Sequence, residues 1–262
     1  MHPVLLHIGS FELASYGLMT ALAYAAAAWY LYKRLHYIQL DKDTFWNIIF
    51  IAFVSALLGS KLLYLIVSWP EMGATFAQRL ANAVKDIRYG FVFFGGAVTA
   101  IAALLIYLKK KKLPVLKTAD FLIVGLPIGH AIGRIGCFLA GCCFGKPTSM
   151  PWGVVFTDPH SLVAREYLGV HLHPTQLYEV LANIILFFVL QHYYKKPHKN
   201  GAVLALYVIG YSVIRFGIEF FRGDFRGEYI LGLSPSQCIA LAAVLVTLVV
   251  MRFLKKDASH AG

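Results

Sequence analysis

The sequence predicts an all-α integral membrane fold of about seven transmembrane helices, and three observations lead there. Of the 262 residues, 59% are hydrophobic and only 14% charged, where an ordinary soluble domain carries roughly 25% charge. Mean hydropathy is +0.66. The apolar residues also gather into runs of about 20, the length with which a helix crosses the hydrocarbon layer. A soluble fold is excluded, and residues 1–262 are read as a single transmembrane domain.

Taken in order, the predicted spans fall at about 12–32, 45–67, 91–108, 119–139, 174–194, 202–221 and 236–254. Met1 to Phe11 contains no Lys or Arg and no small-residue cleavage pattern, so no removable signal peptide is expected and the first helix is retained. Lys33 and Arg34 follow the first span, Lys109 to Lys112 the third, Lys195, Lys196 and Lys199 the fifth, and Arg252, Lys255 and Lys256 the last. These clusters all fall on one side, which the positive-inside rule makes cytoplasmic; the N-terminus is then outside and the C-terminus inside. The loop 68–90 carries Arg79, Lys85 and Arg88, but Glu71 and Asp86 accompany them. The longest connection, about 140–173, is an extracytoplasmic loop whose Gly, Pro and Trp suit an irregular chain at the membrane interface. A net charge of +11 is explained by topology and by anionic headgroups, and nucleic acid is not an expected partner.

Ionisable side chains inside a span are costly unless they face the bundle interior or water, so they mark candidate sites. The fourth span places Gly125, Gly129 and Gly133 at four-residue spacing, a small face on which another helix can approach closely. His130 and Arg134 stack one turn apart beside it. The alternative is that the glycines only pack and Arg134 snorkels to the headgroups. In the sixth span Arg215, Glu219 and Arg222 form a charged stripe that lipid cannot host. Either it faces a cavity, where Glu219 orients guanidiniums that hold a phosphate, or it is an ion-pair network that locks helices together. Tyr16 in the first span, the Gly95-Gly96 pair in the third, and His173, Gln176 and Glu179 around the start of the fifth complete the polar set. Cys137, Cys142 and Cys143 lack the paired spacing of zinc sites, and a disulfide, simple packing or a reactive thiol all remain open. Cys238 is isolated in the seventh span and is read as a small core residue. No metal or organic cofactor is indicated.

Several of these segments together resemble one family. Tyr16-Gly17-Leu18-Met19, Gly95-Gly96, Gly133-Arg134-Ile135-Gly136 with Gly141 and Gly145, His173-Pro174-Thr175-Gln176-Leu177-Tyr178-Glu179, and Arg215-Phe216 through Glu219-Phe220-Phe221-Arg222 are similar, in the same order, to the bacterial prolipoprotein diacylglyceryl transferases. The resemblance implies an enzyme of the bacterial inner membrane. Its reaction would move the diacylglyceryl group of phosphatidylglycerol to the lipobox cysteine thiol of a preprolipoprotein, releasing glycerol phosphate. It also implies catalytic or lipid-binding roles for Tyr16, Arg134, Gly145, Arg215, Glu219 and Arg222. The arginines would hold the phosphate and stabilise the charge growing on it, and the glycines would let lipid tails and peptide approach.

The chain departs from the family pattern in three places. Phe94 stands where the family usually has a His before Gly-Gly, Cys137 where it has an Asn, and Cys142 where it has a Glu. A thiol must lose its proton to attack well, and a phenyl ring cannot take one. His130 and His173 are the candidate bases in its place; a related transferase with another acceptor, a lipid-binding or lipid-translocating protein, and a purely structural membrane protein are the alternatives.

Overall fold

The computed structural model describes the backbone of residues 2–8, 11–85, 90–224 and 227–260, and the side chains of these except 7, 8, 11 and 254–260. Asp86 and Arg88 of the second loop, and the side chains of Lys255 and Lys256, lie outside the described residues.

The described chain is mostly helical and forms two compact units, residues 1–33 with 119–262, and residues 34–118. In the first unit a short antiparallel hairpin, β1 (Val4–Ile8) and β2 (Phe11–Ala14), leads into helix α1 (Ser15–Tyr32). The helix of the first span therefore begins three residues later than the predicted 12. The Ser15 backbone N–H and hydroxyl both donate to the Pro3 carbonyl, at 2.9 and 3.0 Å, so the hairpin satisfies donors that a helix start leaves unpaired.

The second unit contains α2 (Lys42–Ser68), α3 (Phe76–Lys85) and α4 (Phe93–Lys110). α2 and α4 are packed together by small residues. A Cβ on Gly96 would come within 2.7 Å of the Ala56 carbonyl, and one on Gly95 would strike Gly59 and Leu63. Thr99 donates to the Ser55 carbonyl across the same seam at 2.7 Å. α3 was not anticipated in the loop 68–90; it exposes Phe76, Leu80 and Val84 along one face, which suits a helix lying in the membrane interface.

α5 (Val115–Ile123) and α6 (Leu126–Ala140) are bent by 40° at a short break where one straight span was predicted. The break coincides with Gly125, followed by Pro127 in the first turn of α6, which suits a helix start. α7 (Thr175–Tyr194), α8 (Ala202–Glu219) and α9 (Pro235–His260) follow. Among the described residues five helices are long and apolar enough to cross a membrane, or six if the bent pair is one span. α1, rich in Tyr and Trp, has the length but is not among them.

Within the first unit α1 packs on α6, α6 on α7, α7 on α8 and α8 on α9. The glycines of α6 set the first contact: Gly129 faces the Ala23 carbonyl, and a Cβ on Gly136 would meet Met19 at 2.9 Å. Gly133, expected in that row, instead opens onto space. The far end of the unit is fastened by Asp120, whose carboxylate accepts from the Gly201 and Leu204 N–H groups at 2.6 and 2.8 Å and so caps α8.

The polarity of the unit is that of a membrane protein. On α7, Leu181, Ile185 and Phe188 are exposed, whereas Gln176, Glu179 and Asn183 are buried. Such an apolar exterior is stable only when lipid covers it.

Candidate active site

The site is built on the buried polar face of α7. Gln176, Glu179 and Asn183 recur at helical spacing, and Glu179 is 1% exposed. Three guanidiniums converge on its carboxylate. Arg134 of α6 brings Nε to 2.5 Å from Oε2, and Arg215 of α8 and Arg222 just beyond it each bring Nη1 to 3.3 Å from Oε1. The Arg134 contact is off hydrogen-bond alignment and is chiefly Coulombic, whereas the other two are hydrogen bonds.

Each arginine has a second partner. Arg215 pairs through Nη2 with Glu219 at 2.5 Å and donates to Ser236 of α9 at 3.1 Å. Arg222 grips Asp224 through Nε and Nη2, at 2.8 and 2.7 Å, a bidentate fork. Burial alone would lower the Arg222 pKa, but the Asp224 hydrogen bonds and the nearby Cys143 sulfur more than reverse this and hold the guanidinium firmly charged. Arg134 reaches toward Cys137 Sγ at 4.0 Å.

This geometry corrects the expected role of Glu219. It orients Arg215, but the carboxylate common to all three arginines is Glu179. The sequence stripe also ends earlier than expected: α8 stops at Glu219, and Arg222 sits in the following turn, where it bridges to Gly145.

Gly145 explains how that turn is held. Its N–H donates to the His173 carbonyl at 3.1 Å, the Lys146 N–H to the Phe221 carbonyl at 2.8 Å, and the Gly223 N–H to the Phe144 carbonyl at 3.1 Å. Three extended segments thus lie side by side, and a Cβ on Gly145 would strike the backbone of both neighbours. The space expected to admit lipid beside Gly145 is filled by protein. Gly95 and Gly96 likewise meet α2 within the second unit, and Phe94 beside them packs edge-on against Phe93.

His173 lies just before α7. Its Nδ1 is 3.0 Å from the Tyr178 hydroxyl, which also accepts from Trp152 Nε1 at 2.8 Å. With Met150, Ile218 and Phe221 these residues line a mainly apolar pocket of about 530 Å3. His130 is placed differently, one turn before Arg134 on α6 and beside Tyr211 of α8 at 5.1 Å between ring centroids. Tyr16 is half exposed at the start of α1 and packs beside Gly136 of α6.

Gln176 donates to the Cys142 carbonyl at 2.7 Å, and Thr175 to that of Cys143 at 2.7 Å, so α7 holds the turn that ends α6. The other amide atom, Gln176 Oε1, is buried without a donor among the described residues. Sequence reasoning had gathered Arg134, Arg215, Glu219, Arg222, Gln176 and Tyr16; the structure brings the first five together around the buried face of α7 and sets Tyr16 beside Gly136 of α6. Asp224 and Ser236 were missed; both are ordinary loop or helix-end residues with no signal in spacing.

Residues 3–253 match the family model described as prolipoprotein diacylglyceryl transferase. The chain belongs to this family. A phosphatidylglycerol–prolipoprotein diacylglyceryl transferase of Clostridium tetani is 38% identical over 259 residues, covering 98% of this chain and all of the relative. A second of that name from Clostridium perfringens is 34% identical, with 92% of this chain and 91% of the relative covered. One from Pseudoalteromonas atlantica is 33% identical, with 93% and 85% covered. The diacylglyceryl transferase family thus accounts for nearly the whole chain, including both units and every segment of the arginine cluster.

Proposed function

We propose that this chain transfers the diacylglyceryl group of phosphatidylglycerol to the lipobox cysteine thiol of a preprolipoprotein at the outer face of the bacterial inner membrane, with release of glycerol phosphate. The observation that carries the reading is the gathering of Arg134, Arg215 and Arg222 around the buried Glu179 in a chain of this family. Glu179 and Glu219 act as positioning residues that hold the guanidinium forks in register. Arg134, the most accessible of the three, meets the phosphate, with Arg215 and Arg222 supporting the negative charge that grows as the C–O bond to phosphate breaks. Such preorganised donors are strongest where water is excluded. Gln176 Oε1 supplies an acceptor for a headgroup hydroxyl. His173 is the better of the two candidate bases, because it lines the pocket and its ring is oriented by Tyr178 and Trp152. That apolar pocket accommodates an acyl chain or the apolar lipobox segment.

The chain is proposed to form one transmembrane domain of seven helices, counting α1 and the bent α5–α6 pair as one span each. The basic clusters after α1, α4 and α7 and within the end of α9 support a cytoplasmic C-terminus and an outward N-terminus and loop 140–173.

A second reading is supported by the charge balance. Three guanidiniums are met by three carboxylates, Glu179, Glu219 and Asp224, which also describes an ion-pair lock between helices. One experiment separates the two: release of glycerol phosphate from phosphatidylglycerol by the purified protein, with a synthetic lipobox peptide. Release that requires both the peptide cysteine and Arg134 supports the transferase; a folded Arg134→Ala protein with undiminished release refutes the assignment of Arg134. Movement of labelled lipid between leaflets without release would instead favour a translocator.

A further inference from the structure

The three cysteines at the end of α6 form a cluster to which the proposed transfer assigns no role. Gly141, in the left-handed conformation at φ +80°, ends the helix, and both its N–H and that of Cys142 return to the Cys137 carbonyl, at 2.9 and 3.2 Å. The turn folds Cys142 back over Cys137. Cys143 is itself left-handed at φ +61°, a conformation uncommon outside glycine. The result is that Cys137, Cys142 and Cys143 bring their sulfurs within 4.8 Å of one another, and none is in a disulfide.

We propose that Cys137, Cys142 and Cys143 form a three-thiolate binding site for one soft d10 cation, Zn2+ or Cu+. Sulfurs bound tetrahedrally to zinc at about 2.3 Å lie roughly 3.8 Å apart, so closing the cluster onto an ion needs side-chain shifts of about half an ångström each. Soft thiolate ligands select this class of cation over magnesium or calcium. The surroundings suit a site of negative charge. Arg134 Nη1 lies 4.0 Å from Cys137 Sγ, and Arg222 is close enough to Cys143 to interact with it electrostatically. Three thiolates with Zn2+ leave one negative charge, which would lie beside guanidiniums that Glu179 and Asp224 already pair. The ligands are also held from behind, since Gln176 and Thr175 bind the Cys142 and Cys143 carbonyls and fix the turn to α7. No fourth protein ligand from His, Asp or Glu joins the trio among the described residues, so zinc would keep an open position, whereas Cu+ is satisfied by three sulfurs. A bound ion would tie the end of α6 to the turn that Thr175 and Gln176 of α7 hold, and so steady Arg134 relative to Glu179.

The test uses the full-length protein, purified in detergent, reduced and stripped of metal. Zn2+ is titrated against a chromophoric chelator, Cu+ is titrated in a parallel arm, and Co2+ serves as a spectroscopic probe. One equivalent per chain is expected, with a sulfur-to-cobalt charge-transfer band. Cys142→Ser and Cys143→Ser should each weaken binding more than the roughly 10–100-fold that loss of an outer-shell partner costs, while Cys238→Ser should leave it unchanged. Should the serine variants unfold, alkylation of the wild-type protein decides: the ion should protect three of the four cysteines. Absence of binding by the folded, reduced protein overturns the site, as does binding that survives loss of the trio. A disulfide within the trio in protein isolated without reductant, with no metal uptake after reduction, overturns it in favour of a redox pair. None of these readouts depends on transferase activity.

Discussion

Replacing Glu179 with Gln removes one charge and little volume from the centre of the arginine cluster, leaving three guanidiniums facing two carboxylates. At an effective dielectric constant of about 20 the Arg134 contact at 2.5 Å is worth about 7 kcal/mol before desolvation, and the contacts to Arg215 and Arg222 at 3.3 Å about 5 kcal/mol each. Most of that gross attraction offsets the cost of burying the four ions. What mutation exposes is the penalty of leaving a partner unpaired, about 3–5 kcal/mol. Glutamine keeps one carbonyl that can still accept from Arg215 or Arg222, so the lower end, about 3 kcal/mol, is expected. For a chain of this size that corresponds to a fall of roughly 6–12 °C in melting temperature, measured in detergent by the unfolding of the purified variant. Turnover should fall by about 100-fold, the scale associated with disordering one charge-stabilising donor, and Glu179→Asp should recover part of it. A double-mutant cycle with Arg134→Met should give a coupling of about 1–3 kcal/mol. A Glu179→Gln protein that melts and turns over like the wild type would refute the central role of this carboxylate.

Three further outcomes are expected. Gly145→Ala should cost about 2–3 kcal/mol by forcing a methyl group against the His173 and Phe221 backbone, whereas Gly133→Ala, opening onto space in a helix, should be neutral or stabilising by up to about 1 kcal/mol; thermal unfolding of the two side by side checks both, and equal melting temperatures would remove the packing explanation. His173→Ala should lower turnover by about 10²–10⁴-fold if its ring accepts the thiol proton, with Tyr178→Phe giving a smaller loss through misorientation; full activity in His173→Ala would pass the role to His130. A cysteine placed at His160, whose side chain is 84% exposed, should add one label from a membrane-impermeant maleimide applied to right-side-out spheroplasts, and labelling only after permeabilisation would invert the topology.

Most of the helix positions were legible because lipid imposes a length on an apolar run, and Lys and Arg clusters mark its ends. Arg134, Arg215 and Glu219 were legible for a related reason: a charge in a span needs a partner, so its presence alone signals an interior. What spacing did not reveal was which carboxylate served which cation. Glu179 was visible one turn beyond Gln176, but only the packing of α6, α7 and α8 makes it the shared partner. Gly145 was legible as a special residue and misread as to cause, because a glycine that admits a ligand and one that admits a neighbouring strand look the same in sequence. The bend at Gly125 was hidden by the continuous apolarity of 119–139, and Asp120, within that run, gave no sign that it caps a helix starting about 80 positions later.

The charge balance of the site follows from its surroundings. In water, three arginines awaiting a phosphate can be screened by solvent and ions; on the buried face of α7, with Glu179 and Arg222 only 1% and 5% exposed, they cannot. Uncompensated guanidiniums there would cost more than the fold can supply. The carboxylates must therefore be present before the lipid arrives, and a phosphate that enters has to take over donors already in use. Arg134 is the place where that exchange is least costly, because its guanidinium is the most exposed of the three and its contact with Glu179 is poorly aligned as a hydrogen bond. Arg222, gripped by the Asp224 fork as well as by Glu179, is the least free to change partners. The same network can thus lock the helices and receive a headgroup, with the division of labour set by how many good hydrogen bonds each arginine would have to give up.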